Sequence, residues 1–320
     1  MSYAYNIDVT WEERNMIRIS PYTHANNQII AVTDMTAEDR QELKDNYHLN
    51  NEFLNYAVDP VERARVEYDE LIETWLIVYN VPLSATGDAP RVIHPFSLMV
   101  RHNQLFVFVT TDTKFIIEDA TMLTDRDQTQ GVWDSVFSLL YQVTTDFFDY
   151  IQQMNEMRVH VEEHLRHDTS SKQIFQLADL SKNQTYFLTG ANSNLVAISQ
   201  LRLLISRRDK LTLDKRSIER LQDIEVEAHQ VQEMLELNVD ILDKVSNTYN
   251  NLLNNNLNNV MKVLTIYSVV LMIPPIIFGF YGMNTFLPLA DKNWGWLFTI
   301  LITIIPSIWI IFKLKRDRFL

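Results

Sequence analysis

Hydrophobic positions are distributed very unevenly along this chain of 320 residues. No charged residue occurs from 263 to 290, and none occurs from 293 to 312. About 20 apolar residues at ~1.5 Å per residue cover the ~30 Å hydrocarbon core of a bilayer, so each run predicts one spanning helix. Because the link between the runs is short, we expect a helical hairpin with a small loop on the far side of the membrane.

A different pattern, short β-type runs separated by turn residues, predicts an α/β domain over residues 1–130. Arg101-His102-Asn103-Gln104 is typical of a hairpin turn, and Thr36-Ala37-Glu38-Asp39 is a capping pattern that predicts a helix reaching about residue 46. The predicted strands are 16–19, 29–32, 65–68, 74–79, 96–101, 105–110 and 114–118.

From Gly131 onward the β pattern ends, and no proline occurs between Pro95 and Pro274. This composition favours long uninterrupted helices. We predict helices over 132–168 and 172–207, and a third that starts near Asp214 and runs into the first span. The expected division is therefore a cytosolic α/β domain (1–130), long antiparallel cytosolic helices (131–212), a stalk helix with the first span (213–281), a loop (282–294), the second span (295–314) and a basic tail (315–320).

The third helix carries mostly apolar residues at alternating spacings of three and four from Leu221 to Asn259, with asparagine at positions 238, 256 and 259. Such a repeat indicates lengthwise packing against partner helices. A rod of roughly 65 residues would be about 100 Å long, more than one chain can cover, so we infer oligomerisation. Residues 250–259 include seven asparagines, which are poor helix formers, and this conflict marks a candidate functional site.

The net charge of −13 is also unevenly distributed. Residues 260–320 sum to +4, which leaves −17 on residues 1–259. A field of that sign repels nucleic acid and attracts cations.

The absence of cysteine excludes disulfides and thiolate metal sites. The first fifteen residues do not have the pattern of a signal peptide. Basic residues flank the spans on the stalk side and at the C-terminus, which predicts an inner or plasma membrane protein with both termini cytoplasmic.

Two segments carry a resemblance to a known family. Met261-Lys262-Val263-Leu264-Thr265-Ile266, followed by Gly279-Phe280-Tyr281-Gly282-Met283-Asn284, resembles the CorA family of divalent-cation channels. The resemblance implies a funnel-shaped homopentamer whose first-span helices line the pore. It implies import of Mg²⁺, and of Co²⁺ or Ni²⁺, without an organic cofactor or nucleic acid.

The resemblance also implies roles for individual residues. Gly282, Met283 and Asn284 would form the selectivity filter, with a ring of Asn284 at the extracellular mouth. The pore and gate would be lined by Asn258, Met261, Leu264, Thr265, Met272 and Gly279, whose spacing places them on one helix face. Pro275 stands where relatives often carry a small hydroxyl residue, and the loop after the motif has Asp291 as its single acid.

Regulation by bound Mg²⁺ is a further implication of the resemblance. Alignment back from the motif places the carboxylate of an intersubunit metal site at Asp223. For its partner acid on the neighbouring α/β domain we predict Asp69, with Asp59 as the second choice.

Two other interpretations are open at this point. His160-Val161-Glu162-Glu163-His164 matches an inverted zinc-protease pattern, with His167 one turn further on, which would make the chain a membrane-anchored peptidase using His160, Glu163 and His164. Alternatively, the chain is a two-span coiled-coil receptor or anchor. Within the transporter interpretation, Zn²⁺ or another divalent metal is the alternative cargo, because amides do not select one such ion.

Overall fold

The protein was analysed as a computed structural model. It describes residues 17–24, 27–83, 93–126, 131–167, 171–207, 213–283 and 294–316. The chain divides into two compact units, residues 1–244 and 245–320. The predicted boundaries near 130 and 212 lie inside the first unit, so they remain a prediction.

The first unit contains a six-stranded mixed sheet. Its spatial order is β1-β2-β6-β5-β4-β3, and every neighbouring pair is antiparallel except β2 and β6, which are parallel. The strands are β1 (Ile17–His24), β2 (Asn27–Thr33), β3 (Arg65–Asp69), β4 (Thr74–Pro82), β5 (Ile93–Arg101) and β6 (Gln104–Val109). Six of the predicted strands are thus confirmed, although Met16 lies outside the described residues.

Both faces of the sheet are covered, which explains why all nine residues of β4 are buried. On one face, Leu76 and Val78 pack against α1 (Ala37–Tyr47) and α2 (Asn51–Val58). On the other face, Ile77 and Tyr79 pack against the long helices. The result is a three-layer α/β arrangement.

The two small helices begin at side-chain caps. Thr36 Oγ1 accepts from the Asp39 backbone at 3.1 Å, and Asp39 Oδ2 accepts from the Thr36 backbone at 2.8 Å, which confirms the predicted capping box. Helix α2 was not predicted. Its local signal is Asn50, whose Oδ1 accepts from the Phe53 backbone at 2.7 Å.

The prediction of a strand over 114–118 is wrong. A short 3₁₀ turn (Thr111–Thr113) leads into α3 (Phe115–Arg126). The run Phe115-Ile116-Ile117 has β propensity, but Ile116 and Ala120, four residues apart, are both buried in the core. Helical spacing therefore satisfies burial better than alternation does, and tertiary packing overrides the local preference.

The long helices agree closely with the prediction. They are α4 (Val132–His167), α5 (Ser171–Ser206) and α6 (Lys215–Tyr281). Their relative register within the first unit is set by polar contacts: Ser217 Oγ donates to Asp134 Oδ1 at 2.6 Å, and Arg202 pairs with Glu225 at 2.8 Å. The hairpin is completed by α7 (Gly295–Arg316).

Candidate functional site

The first span and the start of the motif are described up to Met283. Helix α6 ends at Tyr281, where the Gly282 N–H donates to the Phe278 carbonyl at 2.8 Å. A Cβ on Gly282 would lie 3.2 Å from that same backbone oxygen. Glycine is therefore the residue that lets the chain leave the helix at this point without displacing the backbone. Asn284 and Asp291 lie outside the described residues.

The predicted pore stripe is exposed along its full length in the single chain. Leu264 is 57% exposed and Met272 is 59% exposed. Apolar side chains exposed to this degree favour contact with lipid or with other copies of the chain. All six predicted pore residues share this exposure: Asn258, Met261, Leu264, Thr265, Met272 and Gly279.

Two hydroxyl groups of α6, within or beside the predicted stripe, donate their protons to carbonyls of the same helix. Thr265 Oγ1 donates to the Met261 carbonyl at 2.8 Å, and Ser268 Oγ donates to the Leu264 carbonyl at 2.9 Å. Their lone pairs therefore remain available, and a hydroxyl oxygen in this state accepts a hydrogen bond from a hydrated cation.

A groove of about 520 Å³ lies between α6 and α7. Asn258, Met261 and Thr265 line one wall, and Ile310 contributes from α7. Three of the six predicted pore residues thus line this groove. Leu264, Met272 and Gly279 are not among its lining residues, so the predicted stripe does not have uniform surroundings.

Helix α6 continues through Pro274 and Pro275. Each proline lacks the N–H that would bond to the carbonyl four residues earlier, so the carbonyls of Val270 and Leu271 lose their usual intrahelical donors. Proline at position 275 also lacks the hydroxyl that the family pattern leads one to expect there.

The asparagine-rich segment is helical, although asparagine propensity opposes this. Residues 250–259 lie within α6, and all seven asparagines are exposed. A run of exposed uncharged amides presents both donors and acceptors to solvent. Such a surface hydrates ions without holding them as carboxylates would.

The acids predicted for regulation lie on different elements of the chain. Asp223 is exposed on α6, whereas Asp69 ends β3. Asp69 Oδ2 accepts from Asn50 at 2.8 Å and its Oδ1 accepts from the Leu71 backbone at 2.8 Å. Asp59 Oδ1 accepts from the Val61 backbone at 3.0 Å. The role of all three acids as metal ligands remains a prediction.

Both C-terminal helices are long and apolar enough to cross a membrane. The apolar window of α6 has a mean hydropathy of 2.2 with 0% of it buried inside the chain, and that of α7 has 2.1 with 6% buried. In α7 the hydroxyls of Thr299, Thr303 and Ser307 donate to carbonyls one turn earlier. These bonds satisfy polar groups that lipid could not satisfy.

An α/β domain, a long helix and an apolar helix pair that carries Tyr-Gly-Met-Asn define an integral membrane protein of the divalent-cation transporter class. Residues 25–316 match the family described as CorA-like Mg2+ transporter protein. The chain therefore belongs to the CorA family of divalent-cation transporters.

Individual relatives agree with this assignment. The cobalt/magnesium transport protein CorA of Methanocaldococcus jannaschii is 23% identical over 263 residues, 80% of each sequence. The complete structure of the CorA magnesium transporter from that organism covers 92% of each chain with a TM-score of 0.80 at 20% identity. The full-length CmaX protein has a TM-score of 0.70 at 16% identity and covers 90% of this chain and 88% of its own.

The predicted family and the predicted fold of one subunit are thereby confirmed. Members of this family are ion transporters rather than enzymes, so the peptidase interpretation of His160, Glu163 and His164 is wrong. The anchor interpretation is set aside for the same reason.

Proposed function

We propose that the chain forms a homopentameric channel that admits hydrated Mg²⁺, and also Co²⁺ or Ni²⁺, driven by the membrane potential. Both termini and the first unit would be cytoplasmic, in an inner or plasma membrane. The observation that carries the proposal is the exposed stripe on α6, which runs toward Gly282 and Met283, with Asn284 next in the sequence. Moving two charges through ~150 mV yields roughly 7 kcal/mol, so no ATP is required.

The filter chemistry follows from the hydration of the ion. Mg²⁺ holds six waters in octahedral geometry and releases them reluctantly. A ring of five Asn284 carbonyl oxygens accepts hydrogen bonds from these waters, which the dication polarises. Carboxylates would bind the ion more tightly and slow its release. Amides at this position therefore suit rapid passage of an intact hydration shell.

The gate in this proposal is apolar. Five copies of Leu264 and of Met272 would form constrictions that dewet when narrow and exclude ions without a plug. Both side chains are exposed in the single chain, so they are free to meet their counterparts around a common axis in the proposed pentamer.

Regulation rests on charge. Residues 1–259 carry −17, or about −85 in a pentamer, which pushes the subunits apart. Mg²⁺ bound between subunits at Asp223, with Asp69 or Asp59 of the neighbour, would screen this charge and hold a closed state. When internal Mg²⁺ falls, the ions dissociate and the open state gains population.

Transport is tested by ion flux into liposomes that contain the purified protein. Asn284→Ala removes the acceptor ring and should abolish Mg²⁺ uptake while assembly is retained. Asn256→Ala is the matched control, because it makes the same change at an exposed asparagine of α6 that is not among the predicted pore or filter residues. Near-normal flux through an assembled Asn284→Ala protein would contradict the filter assignment. Competition between Mg²⁺, Co²⁺, Ni²⁺ and Zn²⁺ in the same assay decides the cargo, and preference for Zn²⁺ would establish the alternative.

Regulation is tested by Mg²⁺ protection against proteolysis. Asp223→Ala should require more Mg²⁺ for the same protection, whereas Asp243→Ala, an exposed aspartate on the same helix, should behave as the wild type. Overlapping Mg²⁺ dependences for the wild type and Asp223→Ala would place sensing at other acids.

A further inference from the structure

A pair of histidines near the C-terminal end of α4 has no part in the proposed transport function. His160 and His164 are four residues apart, and both are exposed. Their ring centroids are 4.2 Å apart, with the ring planes inclined by 36°. Residues at this spacing share one face of a helix, and rings whose centroids are this close can each turn one nitrogen toward a shared ion, which imidazole binds at ~2.1 Å.

The tautomer of His164 is set by its hydrogen bond. Nδ1 of His164 lies 2.8 Å from the His160 carbonyl oxygen. Since a carbonyl oxygen only accepts, Nδ1 must carry the proton, and Nε2 therefore presents its lone pair to solvent. Metal-ligating histidines typically have such a hydrogen bond at the ring nitrogen that does not bind the metal, because it fixes the ring orientation and the tautomer.

The surroundings of the pair favour a cation. His160, Glu156 and Glu163 line one groove of about 700 Å³, to which Met234 contributes from α6. Arg158 is paired with Glu162. It therefore does not neutralise Glu156 or Glu163, the two carboxylates that line the groove. His164 also lies in the last turn of α4, which ends at His167, where the helix dipole stabilises positive charge.

We propose that His160 and His164 form a binding site for a transition-metal dication such as Ni²⁺, Cu²⁺ or Zn²⁺. Imidazole nitrogen favours these ions, whereas Mg²⁺ favours oxygen ligands. Among the residues that the structure describes, no three His, Cys, Asp or Glu side chains converge on one point. The site is therefore bidentate, with water in the remaining positions. Its nitrogen ligands are chemically distinct from the oxygen ligands of the proposed filter, and it does not depend on the proposed channel mechanism.

The site is tested by titrating Ni²⁺ into the purified full-length protein in excess Mg²⁺ and measuring the heat of binding by calorimetry. Mg²⁺ occupies the oxygen sites and leaves the imidazoles free. We expect one Ni²⁺ per chain in the wild type. His160→Asn and His164→Asn should each lower the Ni²⁺ affinity by more than about tenfold. Cu²⁺ bound to the wild type should show two coordinated nitrogens by electron paramagnetic resonance.

Two further variants complete the experiment. His102→Asn is the matched control: His102 is exposed, distant in sequence and at a positive φ of 52° that asparagine tolerates, so its Ni²⁺ affinity should equal that of the wild type. Glu156→His combined with His164→Asn recreates a pair at the same spacing one turn earlier and should restore binding. Wild-type affinity in His160→Asn and His164→Asn, displacement of Ni²⁺ by Mg²⁺, or no recovery in the double variant would overturn the proposal.

Discussion

The two units of this chain differ in how far their apolar side chains are buried within the chain. In residues 1–244 the sheet is covered on both faces, and the side chains of Tyr79, Phe96 and Phe106 are fully buried. In the described part of residues 245–320 most apolar side chains are exposed or half-buried, and 0% of the apolar window of α6 is buried within the chain. The first unit thus obtains its stabilisation from intrachain packing, while the second requires lipid or further copies.

This difference indicates where substitutions will act. A change in the first unit alters the balance of packing and hydrogen bonding, so it should change the free energy of unfolding. The stripe of α6 lies in the second unit, outside the core of the first, so a change there should alter transport and leave the stability of the first unit unchanged. Each of the following measurements tests this separation.

The largest effect is expected from Leu264→Asn. A polar ring at this level should wet the apolar constriction, so that leak at high internal Mg²⁺ rises severalfold while thermal unfolding of the first unit stays as in the wild type. Flux through liposomes in the closed condition measures the leak. Leu257→Asn, another exposed leucine of α6, is the control. An unchanged closed-state leak in Leu264→Asn would place the gate elsewhere.

Asn194→Ala should have the largest effect on stability. Asn194 Oδ1 accepts from the Asn80 N–H at 2.8 Å and its Nδ2 donates to the Asn80 carbonyl at 2.8 Å, both buried. The substitution leaves two buried backbone groups without these partners and should lower the free energy of unfolding by about 2–4 kcal/mol. Chemical denaturation checks this, with exposed Asn251→Ala as the neutral control. Equal stability of the two variants would contradict the assigned pair.

Gln184→Leu should act in the opposite direction. Gln184 is 0% exposed, and among the described residues neither its Oε1 nor its Nε2 has a hydrogen-bond partner. Replacing this amide with an apolar side chain of similar size should raise the free energy of unfolding by about 1–3 kcal/mol. Gln153→Leu at an exposed position of α4 should give no such gain. A destabilised Gln184→Leu protein would show that the amide is satisfied in solution.

The smallest effect concerns pH. Burial raises the pKa of Asp146 above 3.8, against the opposing hydrogen bond from Gln142. A carboxyl group whose pKa is raised on folding favours the folded state while protonated, and this contribution is lost as the pH rises through the folded pKa. Asp146→Asn should therefore gain stability over the wild type between about pH 4 and neutrality. Thermal unfolding across this range should show no comparable trend for exposed Asp112→Asn.

Local sequence was sufficient for much of this protein. The spans follow from composition alone, and the three long helices follow from periodicity and the lack of proline. Six strands were recognised because β propensity and burial agreed there. The strand expected at 114–118 failed because Phe115-Ile116-Ile117 satisfies either pattern locally, and only the buried spacing of Ile116 and Ala120 decides for a helix. The roles of Gly282, Met283 and Asn284 came from the motif and await the flux measurements.

What the sequence by itself determined are properties that depend on neighbours within a few residues: apolar length, helical continuity, the capping box at Thr36 and the Gly-Met-Asn motif. Only the tertiary structure decided the parallel pairing of β2 with β6, the reciprocal bonds of Asn80 and Asn194, and the groove beside His160. These features join residues that are far apart in the chain. They arise when the packing of whole layers selects one register, and no local pattern encodes that choice.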